Sequence, residues 1–235
     1  VRVDAARHTA FEVGDEPLLL ARVAPTWVCR HRQLAAKAAV ADGAEVLVMD
    51  DGFQNPSLVK DVSLLVVDGA YGFGNRRVVP AGPLREPLAN GLARADAIVL
   101  VGENISGTTA SIDTRMPVLR TELVPGPEAS ELAGRDVVAF AGIGDPSKFF
   151  RTLEAIGCRV RTTHVFADHH PYRAEELADI RAEAEQREAV AVTTEKDAVR
   201  LPEEARAWVK VLTVKLAWRD EAALERLLEP VLPDG

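Results

Sequence analysis

Apolar residues in this chain fall in short, nearly continuous runs separated by longer amphipathic stretches. Ala44–Met49 (AEVLVM), Val62–Val67 (VSLLVV), Ala97–Val101 (AIVLV), Val137–Ala141 (VVAFA), Ala189–Thr193 (AVAVT) and Val209–Val214 (VKVLTV) each read as a strand. Runs with no polar alternation indicate strands buried on both faces, as in parallel sheets. Between them, His31–Ala41 is an Ala-rich helical stretch that stops at Gly43, a residue suited to a C-cap. Phe149–Ile156 reads as a helix that Asp145 can cap, with Pro146 at the first helical position. Arg173–Arg187 and Glu221–Leu228 complete the helical segments. The alternation predicts an α/β fold.

The βα rhythm breaks between Thr108 and Arg135, a stretch carrying Pro117, Pro125, Gly126, Pro127 and Gly134. Within it, Val118–Val124 (VLRTELV) suits a connecting strand. Two lobes are therefore expected: a core lobe over 1–116, a linker over 117–134 and a smaller α/β lobe over 135–235.

Composition narrows the function classes. The chain has 235 residues, 47% of them hydrophobic and 27% charged, which suits a globular protein with a real core. A formal net charge of −8 argues against nucleic acid, whose binding needs clustered positive charge. The two cysteines, Cys29 and Cys158, form no disulfide framework or zinc spacing. No apolar run approaches the roughly 20 residues of a membrane span.

Four segments carry candidate chemistry. In Glu45–Asp51 (EVLVMDD) an apolar run ends in an acidic pair, the form of a Walker B segment. Such a strand delivers carboxylates to the edge where open α/β sheets bind ligands, and Asp50 and Asp51 could hold magnesium there. They could equally cap a turn. A second acidic pair, Asp15–Glu16, lies between Gly14 and Pro17. It could bind metal or accept a proton from an attacking hydroxyl, or simply favour the start of a helix. In Phe166–Tyr172 (FADHHPY), His169 and His170 could be metal ligands and His169 could also do acid–base work, or both could lie in a surface turn. Finally, Gly72–Pro87 (GFGNRRVVPAGPLREP) reads as a loop in which Arg76, Arg77 and Arg85 could face anionic groups, with Glu86 holding Arg85. No GxxxxGKS or GxxxxGKT phosphate loop occurs in the sequence.

Taken together, GDEPLLLAR (Gly14–Arg22), DDGFQ (Asp50–Gln54), FGNRRVVPAGPLREP (Phe73–Pro87), DHHPY (Asp168–Tyr172) and TEKDAVRL (Thr194–Leu201) closely resemble the motifs of the tetraacyldisaccharide 4'-kinase family, in family order. The resemblance implies two α/β/α lobes, the first P-loop NTPase-like and here N-terminally truncated. It implies transfer of the γ-phosphoryl group of ATP to the 4'-hydroxyl of an acylated disaccharide lipid precursor, with Mg²⁺, at the cytoplasmic face of the bacterial inner membrane. In these terms Asp15 is the base and His169 pairs with it. Asp50, Asp51 and Glu16 belong to the metal site, and Arg77, Arg85 and Glu86 line the active cleft. The phosphate loop and a peripheral membrane-associating segment are expected upstream of Val1, so that the chain by itself is expected to be inactive. No protein partner is implied. Asn55 departs from the family pattern, where many relatives carry His. A metal-dependent phosphohydrolase built on Asp50, Asp51 and His169, or a non-catalytic α/β binding module, are the alternative readings.

Overall fold

The computed structural model describes residues 1–113 and 115–233. The last two residues of the expected second lobe, 234 and 235, lie outside it. Among the described residues eight strands form: Leu64–Asp68 (β1), Ala97–Val101 (β2), Val118–Pro125 (β3), Asp136–Ala141 (β4), Arg159–Val165 (β5), Val190–Thr194 (β6), Lys210–Leu212 (β7) and Val214–Trp218 (β8). They make two four-stranded sheets, ordered β1-β2-β3-β8 and β5-β4-β6-β7. The pairs β1–β2, β2–β3, β4–β5, β4–β6 and β6–β7 are parallel.

The chain divides into two compact units, each assembled from two separated segments. One unit comprises Val1–Arg30 and Pro125–Val214. In its central strand β4, alternate residues face opposite layers, as the period of two requires. Val138 and Phe140 join Tyr172, Leu177, Ile180 and Leu201 on one face. Val137, Ala139 and Ala141 join Phe149, Leu153 and Val192 on the other. Fully burying a side chain such as Leu153 or Phe140 contributes about 1.5–3 kcal/mol, so both faces of this sheet hold the unit together. The helix Pro146–Ala155 starts as expected, with Asp145 Oδ1 accepting from the Ser147 N–H.

The other unit comprises His31–Val124 and Lys215–Gly235. Ile98 and Leu100 of β2 pack with Val67, Phe73 and Ile112. Ala97 and Val99 face the opposite side with Leu119, where Trp218, Ala223, Leu224 and Leu227 cover them.

The division departs from the expected 1–116, 117–134 and 135–235 arrangement at both ends of the chain. The boundary at 124/125 falls inside the expected linker. The first 30 residues, however, belong with the later segment, because Val3, Val13 and Leu18 bury against Val199. The C-terminal helix Glu221–Leu228 belongs with the earlier one, because its apolar face covers β2.

Three strand expectations change. Ala44–Met49 forms no strand, and Val46, Leu47 and Val48 are exposed. An apolar run becomes a buried strand only when a neighbour supplies a hydrogen-bonding ladder, and among the described residues none pairs with it. Val118–Pro125 is an integral strand of its sheet, paired in parallel with β2. The Val209–Val214 run splits into β7 and the start of β8, which belong to different sheets.

Candidate active site

The first unit gathers polar side chains at the C-terminal ends of its parallel strands, where open α/β sheets place ligands. Three loops meet there: Gly142 after β4, Ala167–Pro171 after β5, and the short helix Glu195–Ala198 after β6. Gly142 permits the approach. A Cβ at that position would lie 2.9 Å from the Ala167 carbonyl and 3.3 Å from the Tyr172 hydroxyl.

Asp15 comes to this edge from the N-terminal segment. Gly14, at φ +93°, makes the turn that starts the helix Asp15–Leu20, and Leu18 of that helix is buried among Val3, Val13 and Val199. Asp15 is only 4% exposed. Its Oδ2 lies 2.8 Å from His169 Nδ1 and 3.3 Å from Arg200 Nε. An ionised carboxylate can only accept, so the pairing has His169 Nδ1–H donating. His169 itself sits in the left-handed region, at φ +59°. For a non-glycine residue this costs on the order of 1–3 kcal/mol and persists only where the surroundings enforce it. Here its N–H donates to the Gly142 carbonyl at 3.1 Å and to Asp168 Oδ1 at 3.1 Å.

Glu16 points to a different partner, Lys196 Nζ at 2.7 Å. Burial pushes the Glu16 carboxyl upward. The hydrogen bond from Lys196, the backbone and the charges of Lys196 and His169 together outweigh it and hold the pKa below its ordinary value. One ligand atom each from Asp15, Glu16 and His169 lies within 4.8 Å of the others. Asp168 completes the rim, 3.7 Å from His169 Nε2 and 3.9 Å from Lys196 Nζ.

The second histidine of the pair has a structural place. His170 stacks on Phe166 with centroids 4.7 Å apart, and its Nε2 lies 2.8 Å from Glu176. The Arg173 side chain, the Arg173 backbone N–H and His170 pull the Glu176 pKa from 4.5 to about 2. A depressed carboxylate contributes stability that is complete above its unfolded pKa and vanishes as pH falls through the folded one. The difference in thermal midpoint between the parent protein and Glu176→Gln is therefore expected to be constant above about pH 4.5 and to shrink between there and about pH 2. A difference that does not change with pH would rule this origin out.

The other unit holds the remaining expected residues. Asp50 and Asp51 are exposed, and Asp51 (φ +45°) pairs with Arg85 at 3.2 Å. Arg85 thus faces Asp51, while Glu86 pairs with Arg94 and accepts from Gln54 Nε2 at 3.3 Å. This corrects the expectation that Glu86 holds Arg85. Arg94 also stacks over the Phe53 ring at 4.7 Å. Arg77 lies in the turn-rich loop, its N–H donating to Asn75 Oδ1 at 3.1 Å. Asn55 Oδ1 accepts from the Ser57 N–H at 2.9 Å and the Ser57 hydroxyl at 2.6 Å, closing a local turn.

The sequence model of the family described as Tetraacyldisaccharide-1-P 4'-kinase matches residues 1–233. The chain belongs to this family. It is 58% identical over 233 residues to the tetraacyldisaccharide 4'-kinase of Rhodospirillum centenum, covering 99% of this chain and 69% of that protein. It is 53% identical over 230 residues to the protein of the same name from Paramagnetospirillum magneticum, covering 97% and 71%. A crystal structure of LpxK from Aquifex aeolicus in complex with ATP is similar at TM-score 0.72 and 26% identity, over 97% of this chain and 71% of that one.

Within this member of the kinase family, sequence reasoning assigned no role to three residues at the site: Lys196, Asp197 and Arg200. All three lie in the TEKDAVRL motif. The signal that could have found them is the position of this motif at the end of a buried strand, with acid and base three residues apart on a helical turn.

Proposed function

We propose that this chain carries the phosphoryl-accepting chemistry of an ATP-dependent kinase acting on the 4'-hydroxyl of a tetraacyl disaccharide 1-phosphate, giving the 4'-phosphorylated lipid A precursor. The observation that carries this reading is the Asp15 carboxylate, buried and held by His169 Nδ1 at 2.8 Å at the ligand-binding edge of a parallel sheet. In phosphoryl transfer the protein mainly positions the reactants and neutralises charge, with a carboxylate taking the proton of the attacking hydroxyl. Asp15 takes the 4'-hydroxyl proton, the sugar oxygen bonds to the γ-phosphorus, and the bond to the ADP oxygen breaks. His169 holds the carboxylate in place and supports the proton it gains.

Asp50 and Asp51 offer adjacent, exposed, all-oxygen donors, a set that suits a hard cation such as Mg²⁺. When bound, the ion would neutralise phosphate charge. Glu16, held by Lys196 at 2.7 Å, offers a further carboxylate beside Asp15. Arg77 and Arg85 suit contacts with substrate phosphate, because a guanidinium binds such groups bidentately. The P-loop NTPase-like character of the lobe that carries Asp50 and Asp51 belongs to the same proposal.

No helix among the described residues is long and apolar enough to cross a membrane. A substrate with four acyl chains resides in a bilayer, so the enzyme meets it at a membrane surface, which the proposal places at the cytoplasmic face of the inner membrane.

The test is transfer of label from [γ-³²P]ATP to the tetraacyl disaccharide 1-phosphate by the full-length protein with Mg²⁺. Labelled lipid with phosphate at the 4' position is expected. A full-length protein that binds ATP and transfers nothing overturns the reading.

A further inference from the structure

Arg200 is an almost fully buried cation, its side chain 5% exposed, and each of its nitrogens is directed. Nη1 donates to the His170 carbonyl at 3.1 Å, and Nη2 donates to the Gly142 carbonyl at 3.0 Å and to Asp197 Oδ1 at 2.7 Å. Nε is left facing Asp15 Oδ2 at 3.3 Å, close enough for an ion pair but without hydrogen-bond alignment. The counter-charge, Asp197, is fully buried and fixed from three further sides. Its Oδ1 accepts from the Gly142 N–H at 3.0 Å and the Tyr172 hydroxyl at 2.7 Å, and its Oδ2 accepts from the Thr194 hydroxyl at 2.5 Å.

One carbonyl therefore anchors both partners of Asp15. Gly142 O accepts from the His169 N–H and from Arg200 Nη2. We propose that Arg200, locked by Asp197, is a positioning residue that fixes the rotamer of Asp15 and so aims its carboxylate at the substrate hydroxyl. The inference rests on the reading of Asp15 as the base. Arg200 reaches no substrate in this role. A lysine could supply charge but not a planar fork spanning the His170 carbonyl, the Gly142 carbonyl and Asp197 at once.

The test is a double-mutant cycle in the full-length kinase, using Asp15→Asn and Arg200→Met, with thermal midpoints measured for every variant. Arg200→Met is expected to lower kcat by about tenfold or more while changing KM for ATP by less than about twofold. In the Asp15→Asn background the same change is expected to lower kcat by less than about twofold, because the group Arg200 acts through is already gone. Arg200→Lys should recover part of the loss in the parent background. Equal losses in both backgrounds, or an unimpaired Arg200→Met, overturn the proposal. If Arg200→Met does not fold, the cycle with Arg200→Lys decides by the same two criteria. A fully active Asp15→Asn is a different outcome: it removes the base assignment itself.

Discussion

Asp15→Asn in the full-length protein is expected to lower kcat by about 10²–10⁴-fold, the usual worth of a positioned general base. The substitution preserves shape and can still accept from His169, so Asp15 keeps its place on the helix Asp15–Leu20 and beside Leu18. It removes the ability to take a proton. If that ability is what matters, the loss falls on kcat, and KM for ATP changes little, because an interaction made only in the transition state has been removed. His169→Gln should produce a smaller loss of the same kind, since His169 supports the carboxylate without receiving the proton in the proposed step. Steady-state kinetics with the lipid substrate at saturation separate the two parameters. A rise in KM for Mg·ATP with kcat preserved would instead assign Asp15 to metal binding, alongside Glu16 and His169, whose ligand atoms cluster within 4.8 Å of it.

The fold was legible where burial is two-sided and illegible where it is not. β2 and the helix Glu221–Leu228 match their sequence reading residue for residue, because AIVLV has no polar position to mislead and the helix repeats its apolar face. β5 gave no such signal. Arg159–Val165 is polar at five of its seven positions, yet half-buried Val160, Thr162 and His164 alternate with exposed Arg159, Arg161, Thr163 and Val165, as in an edge strand covered on one face. Ala44–Met49 shows the opposite error: its apolar composition is that of a buried strand, yet pairing depends on a neighbour that local pattern does not contain. Unit membership failed for the same reason. Nothing near Leu18 announces Val199 as its packing partner. The site divides similarly. Asp15 and His169 are 154 residues apart in sequence, so only the family motifs connected them before their 2.8 Å contact was seen. Asp197 and Arg200 lie inside the TEKDAVRL motif, but their burial is a property of the whole unit.

Asp197→Ala should be the most destabilising single substitution at the site. Asp197 is fully buried and balances the guanidinium of Arg200 at 2.7 Å. Removing one member of a buried pair leaves the other charge desolvated, at a cost of about 3–5 kcal/mol. The Tyr172 hydroxyl and the Gly142 N–H lose their acceptor in the same step. Burial, followed by the charge and hydrogen bond of Asp197, holds the Tyr172 hydroxyl well above its ordinary pKa, so this hydroxyl stays protonated and needs somewhere to donate. The Asp197 carboxylate also takes the Thr194 hydroxyl, while Thr194 Oγ1 accepts from the Asp197 N–H, so the start of the Glu195–Ala198 helix loosens as well. For a chain of this size, 1 kcal/mol corresponds to roughly 2–4 °C, and a fall in the thermal midpoint of about 6–20 °C is expected. Asp197→Asn should fall less, because one amide oxygen still accepts where Oδ1 accepted, although the charge is lost. Circular dichroism melts of the three proteins at neutral pH measure the order directly. A midpoint for Asp197→Ala within about 2 °C of the parent, less than 1 kcal/mol on this scale, would mean that the Arg200 charge finds enough compensation in the Gly142 and His170 carbonyls and in Asp15. The buried pair would then count for little in holding the edge of the sheet together.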